Sequence, residues 1–391
     1  MQPVLRGLRV VELGQVLAAP FAGAIFADLG AEVIKIERTD GGDDARRMGQ
    51  AFRQGDSLIF QVFNRGKQSV ALDLKTNEGR EALERLLAGA DVLVHNLRPG
   101  VTQALGIAGP SVCERHPRLV YCEISAFGAV GPMRMRPGYE PLVQAFGGVS
   151  AINGGPDDPP MRAGASLCDQ GSGMWAVIGA LALLQRRQHT GRGGIVATSL
   201  LEAAMGWNAQ KVDALVNEGR QPDRHRSGHP GFVPYEAFDA SDAPLLICCG
   251  NDRLFAKLAQ ELGRPQWTGD ERFATNRARL ANKAELFAEL VPLLQARARA
   301  EWLDRLERAG VPCAPIHSLP EAVAHPQVEA LGILQQLPDE AMRLTALPFT
   351  VDGQRPALET AAPHLGEHNA QYGLPPLAAT HRTSTTTKET P

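Results

Sequence analysis

The chain has 391 residues, 44% of them hydrophobic and 21% charged, so it is long enough for two or three domains with buried cores. Its net charge of -3 argues against nucleic acid as a partner, because no overall positive field attracts phosphates. The longest uninterrupted apolar run, 174–184, is shorter than the ~20 residues of a membrane span. No secretory signal is visible, so we expect a cytoplasmic protein without a membrane partner.

The first half of the chain alternates strand and helix patterns. Residues 8–13 and 31–37 are predicted strands, and between them lies a helix over 20–30 that Gly30 ends. Further strands are predicted at 69–74, 91–96 and 119–127, with a helix at 77–88. Repeated strand–helix–strand units favour parallel strands with right-handed crossovers. We therefore predict the α/β class with a doubly wound parallel sheet.

The second half begins with a Gly- and Pro-rich stretch, 128–164, which is typical of surface loops around a site. A long helix from Gly171 to about Gln188, a strand at 195–200 and a helix at 201–217 follow. Polar residues 218–231 indicate a linker, and 232–320 a smaller α/β domain. The Thr-rich segment 373–391 is expected to be disordered.

Asp169, in the segment LCDQGSGMW, allows two compatible interpretations. As an N-cap, its carboxylate would accept N–H groups of the first helical turn. As a nucleophile, it would be kept ionised by the helix dipole and free amides, while the neighbouring glycines admit a bulky electrophile. Cys168 is interpreted as a small buried residue. The six cysteines show neither disulfide nor metal-ligand spacing, so we expect no metal site.

The opening strand–helix–strand unit also resembles the start of a dinucleotide-binding domain, with Glu37 where a ribose-binding acid would lie. Gly14, however, is followed by Gln15, Val16 and Leu17, so the GxGxxG fingerprint is absent. The pattern therefore disfavours a nicotinamide-dependent dehydrogenase.

Several blocks together resemble the family III CoA-transferases, over about residues 5–370. They include LGQVLAAPFAGAIFADLGAEVIKIER, NRGKQSVALDLK, HNLRPGVTQALG, LCDQGSGMWAVIGALALLQRRQHTGRGG and PHLGEHN. The resemblance implies a Rossmann-like large domain, formed by 1–217 and a returning segment 321–372, and an interlocked homodimer with active sites between domains at the dimer interface. It also implies an enzyme that moves CoA from an acyl-CoA to a carboxylic acid, with both as substrates and no permanently bound cofactor.

The family's catalytic carboxylate falls on Asp169, which in the family forms a mixed anhydride and then an aspartyl-CoA thioester. Gly171 or Gly173 would supply amides to the developing oxyanion. The family's CoA contacts fall on five segments of this chain: Val16, Leu17 and Ala18; Arg38; Leu72, Asp73, Leu74 and Lys75; Asn96, Leu97 and Arg98; Pro137, Gly138, Tyr139 and Glu140. Among these, Arg38, Lys75 and Arg98 are the cations expected to meet the phosphates of CoA.

Departures from the family pattern bear on substrate choice. Formyl-CoA transferases have Gln at the position of Leu17 and Arg at that of Ala104, which argues against specificity for formyl-CoA and oxalate. Arg134 and Arg136 suggest a dicarboxylate such as succinate. The racemase branch has His where this chain has Tyr139, which favours transfer over the alternatives: an acyl-CoA racemase or epimerase, or a non-catalytic acyl-CoA-binding paralogue.

Overall fold

The computed structural model describes residues 3–53, 55–338 and 341–377. In its first part, strands and helices alternate as β1 (Arg9–Leu13), α1 (Ala18–Asp28), β2 (Glu32–Glu37), a 3-10 turn (Asp44–Arg47), the antiparallel pair β3 (Phe52–Arg53) and β4 (Asp56–Ser57), α2 (Leu58–Asn64), β5 (Gln68–Ala71), α3 (Asn77–Ala88), β6 (Val92–His95), α4 (Val101–Ala104), α5 (Gly109–Arg115) and β7 (Val120–Ser125). Then follow α6 (Glu140–Phe146), α7 (Val149–Ile152), α8 (Leu167–Thr190), β8 (Gly194–Ser199), α9 (Leu200–Trp207) and α10 (Ala209–Glu218).

Six of these strands form one parallel sheet in the spatial order β5-β2-β1-β6-β7-β8. Numbered along the sheet's own strands, this is the order 3-2-1-4-5-6 of a doubly wound fold, in which the strand order reverses between β1 and β6. The predicted α/β class with a large parallel sheet is confirmed.

Helices cover both faces of this sheet because successive strand side chains point to opposite sides. Val10 and Val94 belong to a core formed with α1 and α8. Val11 and Leu93 belong to a separate core formed with α3 and α5. The central strands β1 and β6 are buried almost throughout, and most of their residues are apolar.

Several predicted boundaries in the second half differ from the structure. The stretch 128–164, expected to be loop, contains α6 and α7. Helix α8 begins at Leu167, four residues before the predicted start at Gly171. The predicted helix at 201–217 is divided into α9 and α10 at Asn208. For α8, periodicity alone did not reveal the start because a residue 29 positions earlier in the chain accepts a hydrogen bond from its first turn.

Helix α8 is long and apolar enough to cross a membrane, with a mean hydropathy of 1.3 over its most apolar 18 residues. Such a helix was not predicted from the sequence, because only the shorter apolar run 174–184 was considered there. Within the fold it packs against α1, β7 and β8, and 44% of that window is buried. A core helix meets the same length and composition criteria, so this feature is weak evidence for a membrane span.

The remaining elements are β9 (Tyr235–Asp239), β10 (Pro244–Cys248), α11 (Asp252–Glu261), a 3-10 turn (Pro265–Thr268), α12 (Asn276–Ala281), α13 (Lys283–Gln295), α14 (Arg299–Ala309), β11 (Cys313–Pro315), α15 (Leu319–Val323), α16 (Pro326–Ala330), β12 (Leu334–Gln336), β13 (Arg343–Thr345) and a final 3-10 turn (Asn369–Tyr372). Strands β11-β10-β9 form an antiparallel sheet with its own apolar core.

Packing divides the chain into two compact units. The larger comprises residues up to Val149, Ala163–Ala209 and Leu331 onward, and the smaller comprises Ser150–Arg162 and Gln210–Ala330. From the sequence, the first part of the large domain is predicted to end at 217 and its returning segment to begin at 321. Those domain limits remain a prediction.

The predicted disordered tail begins too early. The backbone N–H of Leu374 donates to the carbonyl of Asn369 at 2.9 Å, and the Leu374 side chain packs against the core on the α3 side of the sheet. The rest of that segment, 378–391, lies outside the described residues.

Candidate functional site

Asp169 is the third residue of α8, so it lies inside the first helical turn and is not the N-cap. Ser166 occupies the cap position, and its side chain makes no capping bond. The carboxylate of Asp169 has no hydrogen-bond or ion-pair partner among the described residues. This carboxylate is therefore not engaged by another side chain of the described structure.

The cap of α8 is Glu140, a buried residue at the start of α6. Its Oε2 atom accepts the Asp169 N–H at 2.6 Å, and its Oε1 atom accepts the Cys168 N–H at 3.1 Å. Gln144 donates from Nε2 to Glu140 Oε1 at 2.7 Å, and its own Oε1 accepts the Ala163 N–H at 2.8 Å. A carboxylate 29 residues away thus provides the cap expected from Asp169.

This arrangement also determines the protonation of Asp169. Burial, and then the negative charge of Glu140, raise the pKa of Asp169 to about 7. The expectation that free helix amides keep this carboxylate ionised is wrong, because Glu140 takes the two first-turn N–H groups. A carboxyl group with its pKa near neutrality is a recognised mark of functional sites.

Gly171 and Gly173 lie inside α8, where their amides belong to the helical hydrogen-bond ladder, so the structure does not support the oxyanion role expected for them. A Cβ atom at Gly171 would lie 2.7 Å from Trp207 Nε1, and one at Gly173 would lie 2.7 Å from the Ala18 carbonyl oxygen. These glycines allow close packing of α1 and α9 against α8. Burial raises the pKa of the Cys168 thiol to about 12, as expected for an unreactive cysteine.

A cavity of about 400 Å³ lies at the carboxyl ends of β1, β2, β5 and β6. In doubly wound folds, ligands bind in this crevice, where the strand order reverses. Six of the residues predicted to contact CoA line the cavity: Arg38, Leu72, Asp73, Leu74, Lys75 and Leu97.

The three predicted phosphate-binding cations differ in their surroundings. Arg38 donates from Nη2 to the Gly42 carbonyl at 3.0 Å and to Asp44 Oδ1 at 2.8 Å, so its charge is shared. Lys75 and Arg98 are exposed, and neither side chain has a partner within the described part of the chain. These two are therefore the cations available to an anionic ligand.

Segment 14–17 joins the cavity to α1. Asn96 binds the Gln15 backbone twice, at 2.8 Å in each direction, so this predicted contact residue also holds the segment. Val16 has a φ of 63° and donates its N–H to Asp43 Oδ1 at 3.0 Å. In the described structure, the N–H groups of Leu17 and Ala18 have no hydrogen-bond partner.

The same segment also leads to the helix that carries Asp169. Gly173, whose position is in close contact with the Ala18 carbonyl, lies four residues after Asp169 and so on the same face of α8. The predicted segment 137–140 contacts the start of α8 through Glu140 and does not line the cavity. Tyr139 is the N-cap of α6, and Gly138 packs closely against Ala126.

Four buried charged residues beneath segment 14–17 were missed by the sequence analysis. Glu12 Oε1 lies 2.9 Å from Lys35 Nζ, and Glu12 Oε2 lies 2.6 Å from Lys67 Nζ. Asp43 Oδ2 lies 2.9 Å from Lys35 Nζ. We call Glu12, Lys35, Asp43 and Lys67 the charge cluster. A lysine inside the apolar strand EVIKIE was the available signal, since a buried lysine requires an acidic partner.

The pKa values of the two lysines of the charge cluster shift in opposite directions. Burial lowers the pKa of Lys35, but the charges of Asp43 and Glu12 outweigh it and raise that pKa. At Lys67, burial prevails over Glu12 and lowers the pKa to about 8.

Comparison with known proteins agrees with these features. The chain matches the family model for CoA-transferase family III over residues 5–369. It is 36% identical over 366 residues to the acetyl-CoA:oxalate CoA-transferase of Acetobacter aceti, with 93% of each chain covered. It is also 36% identical over 395 aligned residues to the succinate–glutarate CoA-transferase of Agrobacterium fabrum, with 98% of each covered.

A solved structure extends this similarity to the fold. The crystal structure of a CAIB/BAIF family protein from Brucella suis has a TM-score of 0.86 and 36% identity, and the match covers 94% of this chain and 97% of that one. The resemblance found in the sequence is confirmed. The chain belongs to the family III CoA-transferases, and it is an enzyme that transfers CoA between acyl-CoA and carboxylic acids.

Proposed function

We propose that Asp169 is the nucleophile of the CoA transfer. The observation that carries this proposal is its free carboxylate in the first turn of α8, with its own backbone N–H held by Glu140. Burial raises the pKa of Asp169 to about 7, so its ionised form is less solvated than an exposed carboxylate. A poorly solvated carboxylate attacks a carbonyl carbon more readily than a hydrated one.

The reaction then proceeds through exchanges between carboxylates and a thiolate. An Asp169 oxygen attacks the thioester carbon of the donor, the carbon–sulfur bond breaks, and CoA leaves as the thiolate. The thiolate attacks the Asp169 carbonyl of the resulting anhydride, which releases the donor acid and leaves an aspartyl-CoA thioester. The acceptor carboxylate attacks the carbonyl carbon of this thioester, the carbon–sulfur bond breaks, and CoA thiolate leaves a second anhydride between Asp169 and the acceptor. The thiolate then attacks the acceptor's carbonyl carbon in this anhydride, which forms the acceptor-CoA thioester and releases the Asp169 carboxylate.

Glu140 is a positioning residue in this proposal. It fixes the Asp169 backbone through a 2.6 Å hydrogen bond and contributes its negative charge to the raised pKa of Asp169. Since Glu140 also receives the Gln144 amide, its own orientation is fixed before substrate binds.

The cavity and segment 14–17 are proposed to bind CoA. Lys75 lines the cavity and Arg98 follows the lining residue Leu97, and both side chains lack a partner among the described residues, which suits the phosphates of CoA. We expect Lys75→Ala or Arg98→Ala to weaken CoA binding about tenfold in calorimetry, a loss of ~1.4 kcal/mol. Arg6→Ala is the control and should leave binding unchanged, because it removes another exposed arginine whose side chain has no partner among the described residues.

The acid partner is proposed to be a dicarboxylate. Arg134 and Arg136 are exposed on the segment that precedes Glu140, and their side chains have no partner in the described part of the chain. A relative with 36% identity is named for succinate and glutarate. Transfer to monocarboxylates alone in a panel of acceptor acids would exclude this choice.

We also propose a cytoplasmic homodimer, in agreement with the interlocked form that the resemblance implies. Helices α6, α8 and α9 pack on one another and expose large apolar side chains that suit a second copy of the chain. These side chains are Leu142, Phe146, Trp175, Ile178, Met205 and Trp207. Light scattering should give twice the 42.0 kDa chain mass, and a monomer would contradict the proposal.

The deciding experiment for the nucleophile is intact-protein mass spectrometry after incubation with succinyl-CoA and other acyl-CoAs, with hydroxylamine trapping. Without hydroxylamine, the wild type should gain a CoA-sized adduct. With hydroxylamine, the thioester is cleaved, CoA leaves as the thiol, and peptide mapping should place a hydroxamate on Asp169. Asp169→Ala should gain neither. Asp213→Ala, which removes an exposed carboxylate on α10, should behave as the wild type.

Absence of every adduct from a wild type that binds CoA would overturn the proposed nucleophile. Exchange of the substrate's α-hydrogen with deuterated water, without transfer, would point instead to a racemase.

A further inference from the structure

Val16 has an unusual backbone conformation for its residue type. Its φ of 63° lies in the left-handed region, which a β-branched side chain strongly disfavours. Such a conformation costs about 1–3 kcal/mol and persists only where the surrounding structure enforces it. Asp43 contributes to this enforcement by accepting the Val16 N–H at 3.0 Å.

Asp43 is itself held through its carboxylate and its backbone N–H. Its Oδ1 also accepts the Ala45 N–H at 2.9 Å, its Oδ2 lies 2.9 Å from Lys35 Nζ, and its N–H donates to Glu37 Oε2 at 2.9 Å. Burial raises the pKa of Asp43, but the charge of Lys35 and the N–H groups of Val16 and Ala45 together outweigh burial and lower it, so Asp43 is an anion. The acceptor for Val16 is therefore both rigid and ionised.

The two lysines of the charge cluster bind the backbone on either side of Val16. Lys35 Nζ donates to the Gly14 carbonyl at 2.9 Å, and Lys67 Nζ donates to the Pro20 carbonyl at 2.8 Å. Glu12 lies between the two lysines and pairs with both. The charge cluster thus holds Gly14, Val16 and Pro20, while the N–H groups of Leu17 and Ala18 between them stay open in the described structure.

Space for this cluster requires glycine at two positions of the first forty residues. A Cβ atom at Gly23 would lie 2.1 Å from Glu12 Oε2, and one at Gly14 would lie 2.9 Å from Glu12 Oε1. The buried carboxylate of Glu12 is therefore built into the packing of α1 against the sheet.

We propose that the charge cluster is a positioning device for segment 14–20, and that it keeps the open amides of Leu17 and Ala18 aligned for the anionic part of acyl-CoA. This inference rests on the proposed CoA site. Stability alone does not explain the cluster, because buried ion pairs are seldom more stable than well-packed apolar residues of the same volume. A device that preorganises backbone donors improves binding by avoiding reorganisation when the ligand arrives.

The test compares Asp43→Asn with Asp91→Asn. The Asp43→Asn side chain would keep an oxygen for Val16 but would turn an amide N–H group toward Lys35 Nζ and break that pairing. Asp91, just before β6, accepts the Arg9 N–H at 3.0 Å and pairs with Arg187 at 2.8 Å, so its replacement also removes a hydrogen-bonded and ion-paired carboxylate, a more exposed one that lies at the amino ends of the strands, away from segment 14–20.

Three measurements are made on both full-length variants: calorimetric binding of CoA, KM and kcat for acyl-CoA, and hydrogen exchange of the peptide containing residues 14–21. For Asp43→Asn we expect a Kd and a KM raised about tenfold, equivalent to ~1.4 kcal/mol, with kcat within about threefold. Exchange of the 14–21 peptide should rise. Asp91→Asn should lower the melting temperature without changing these three readouts.

A second substitution separates positioning from stability. Val16→Gly relieves the backbone strain, since glycine adopts positive φ freely, and in the Asp43→Asn background it should restore at least about threefold of the lost affinity. Unchanged exchange at 14–21 in Asp43→Asn, or equal losses of CoA affinity in Asp43→Asn and Asp91→Asn, would overturn the positioning role. A wild type that fails to bind CoA would instead refute the proposed CoA site, and the exchange data would still decide whether the cluster holds the segment.

Discussion

Two carboxylates of the larger unit are buried in opposite ways. Glu12 has a fully buried side chain and pairs with two lysines, at 2.9 and 2.6 Å. Asp169 has no cationic partner in the described structure, and its nearest charged neighbour in electrostatic effect is another carboxylate, Glu140. One anion is fully compensated by opposite charge, and the other is destabilised by burial and by like charge.

The presence or absence of a cationic partner distinguishes Glu12, a structural carboxylate, from Asp169, the proposed reactive one. A compensated carboxylate holds its neighbours but offers no electron pair to a substrate. An uncompensated carboxylate keeps its lone pairs and a raised pKa, at a cost in folding free energy. The comparison predicts opposite effects on stability when each charge is removed.

The largest effect is expected at Glu12. Glu12→Gln leaves Lys35 and Lys67 buried with one acid between them, so we expect a loss of about 3 kcal/mol in the free energy of unfolding. Glu32→Gln on the neighbouring strand is the control, because Glu32 pairs with Arg9 and both side chains are partly exposed, at 30% and 39%. Such a pair contributes about 1 kcal/mol at most. Urea titration of both variants measures the contrast, and equal losses would remove the distinction.

An effect of the opposite sign is expected at Asp169. Its pKa of about 7 in the folded state exceeds the 3.8 of a free aspartate, so the folded state holds more protons between these values and stability falls as pH rises through that window. Asp169→Asn should therefore be more stable than the wild type at pH 8 by about 2 kcal/mol, and by much less at pH 4.

Thermal unfolding across pH 4 to 8 measures this difference between the variant and the wild type. The exposed Asp213→Asn supplies the control and should follow the wild type at every pH. A variant with no gain at pH 8 would show that burial does not destabilise the Asp169 carboxylate.

The smallest effect is expected at Glu140. Glu140→Gln keeps an oxygen for one first-turn N–H but removes the negative charge that helps raise the pKa of Asp169. The acid limb of the kcat/KM profile should move below pH 7 by roughly half to one pH unit, which is ~1 kcal/mol. Glu202→Gln on α9 also alters a glutamate at a helix start, beside Ser199, and should leave the limb in place. A limb that does not move would assign the raised pKa to burial alone.

Much of the larger unit was predictable from local sequence. Helix α3 agrees with its predicted ends, because Thr76 caps it locally by accepting the Gly79 N–H at 3.0 Å. The parallel sheet followed from apolar strands separated by helices, since both faces must be covered. Asp169 was singled out by its place before a glycine-containing helix.

The cap of α8 was not predictable in the same way. Its start depends on Glu140, whose contact with Asp169 spans 29 residues and crosses a stretch that composition indicated as loop. For the same reason, the sequence suggested that free helix amides keep Asp169 ionised, whereas in the structure burial and Glu140 raise its pKa. The sign of that shift depends on which carboxylate receives the helix amides.

The sequence by itself therefore determined the α/β class, the family and the identity of the candidate nucleophile, because periodicity, local caps and the spacing within motifs are properties of neighbouring residues. Only the tertiary structure decided which charges are compensated. Glu12 and Lys67 are 55 residues apart, and Asp169 and Glu140 are 29 apart. Burial and pairing across such separations arise when strands and helices pack, and they set the pKa and the role of each carboxylate.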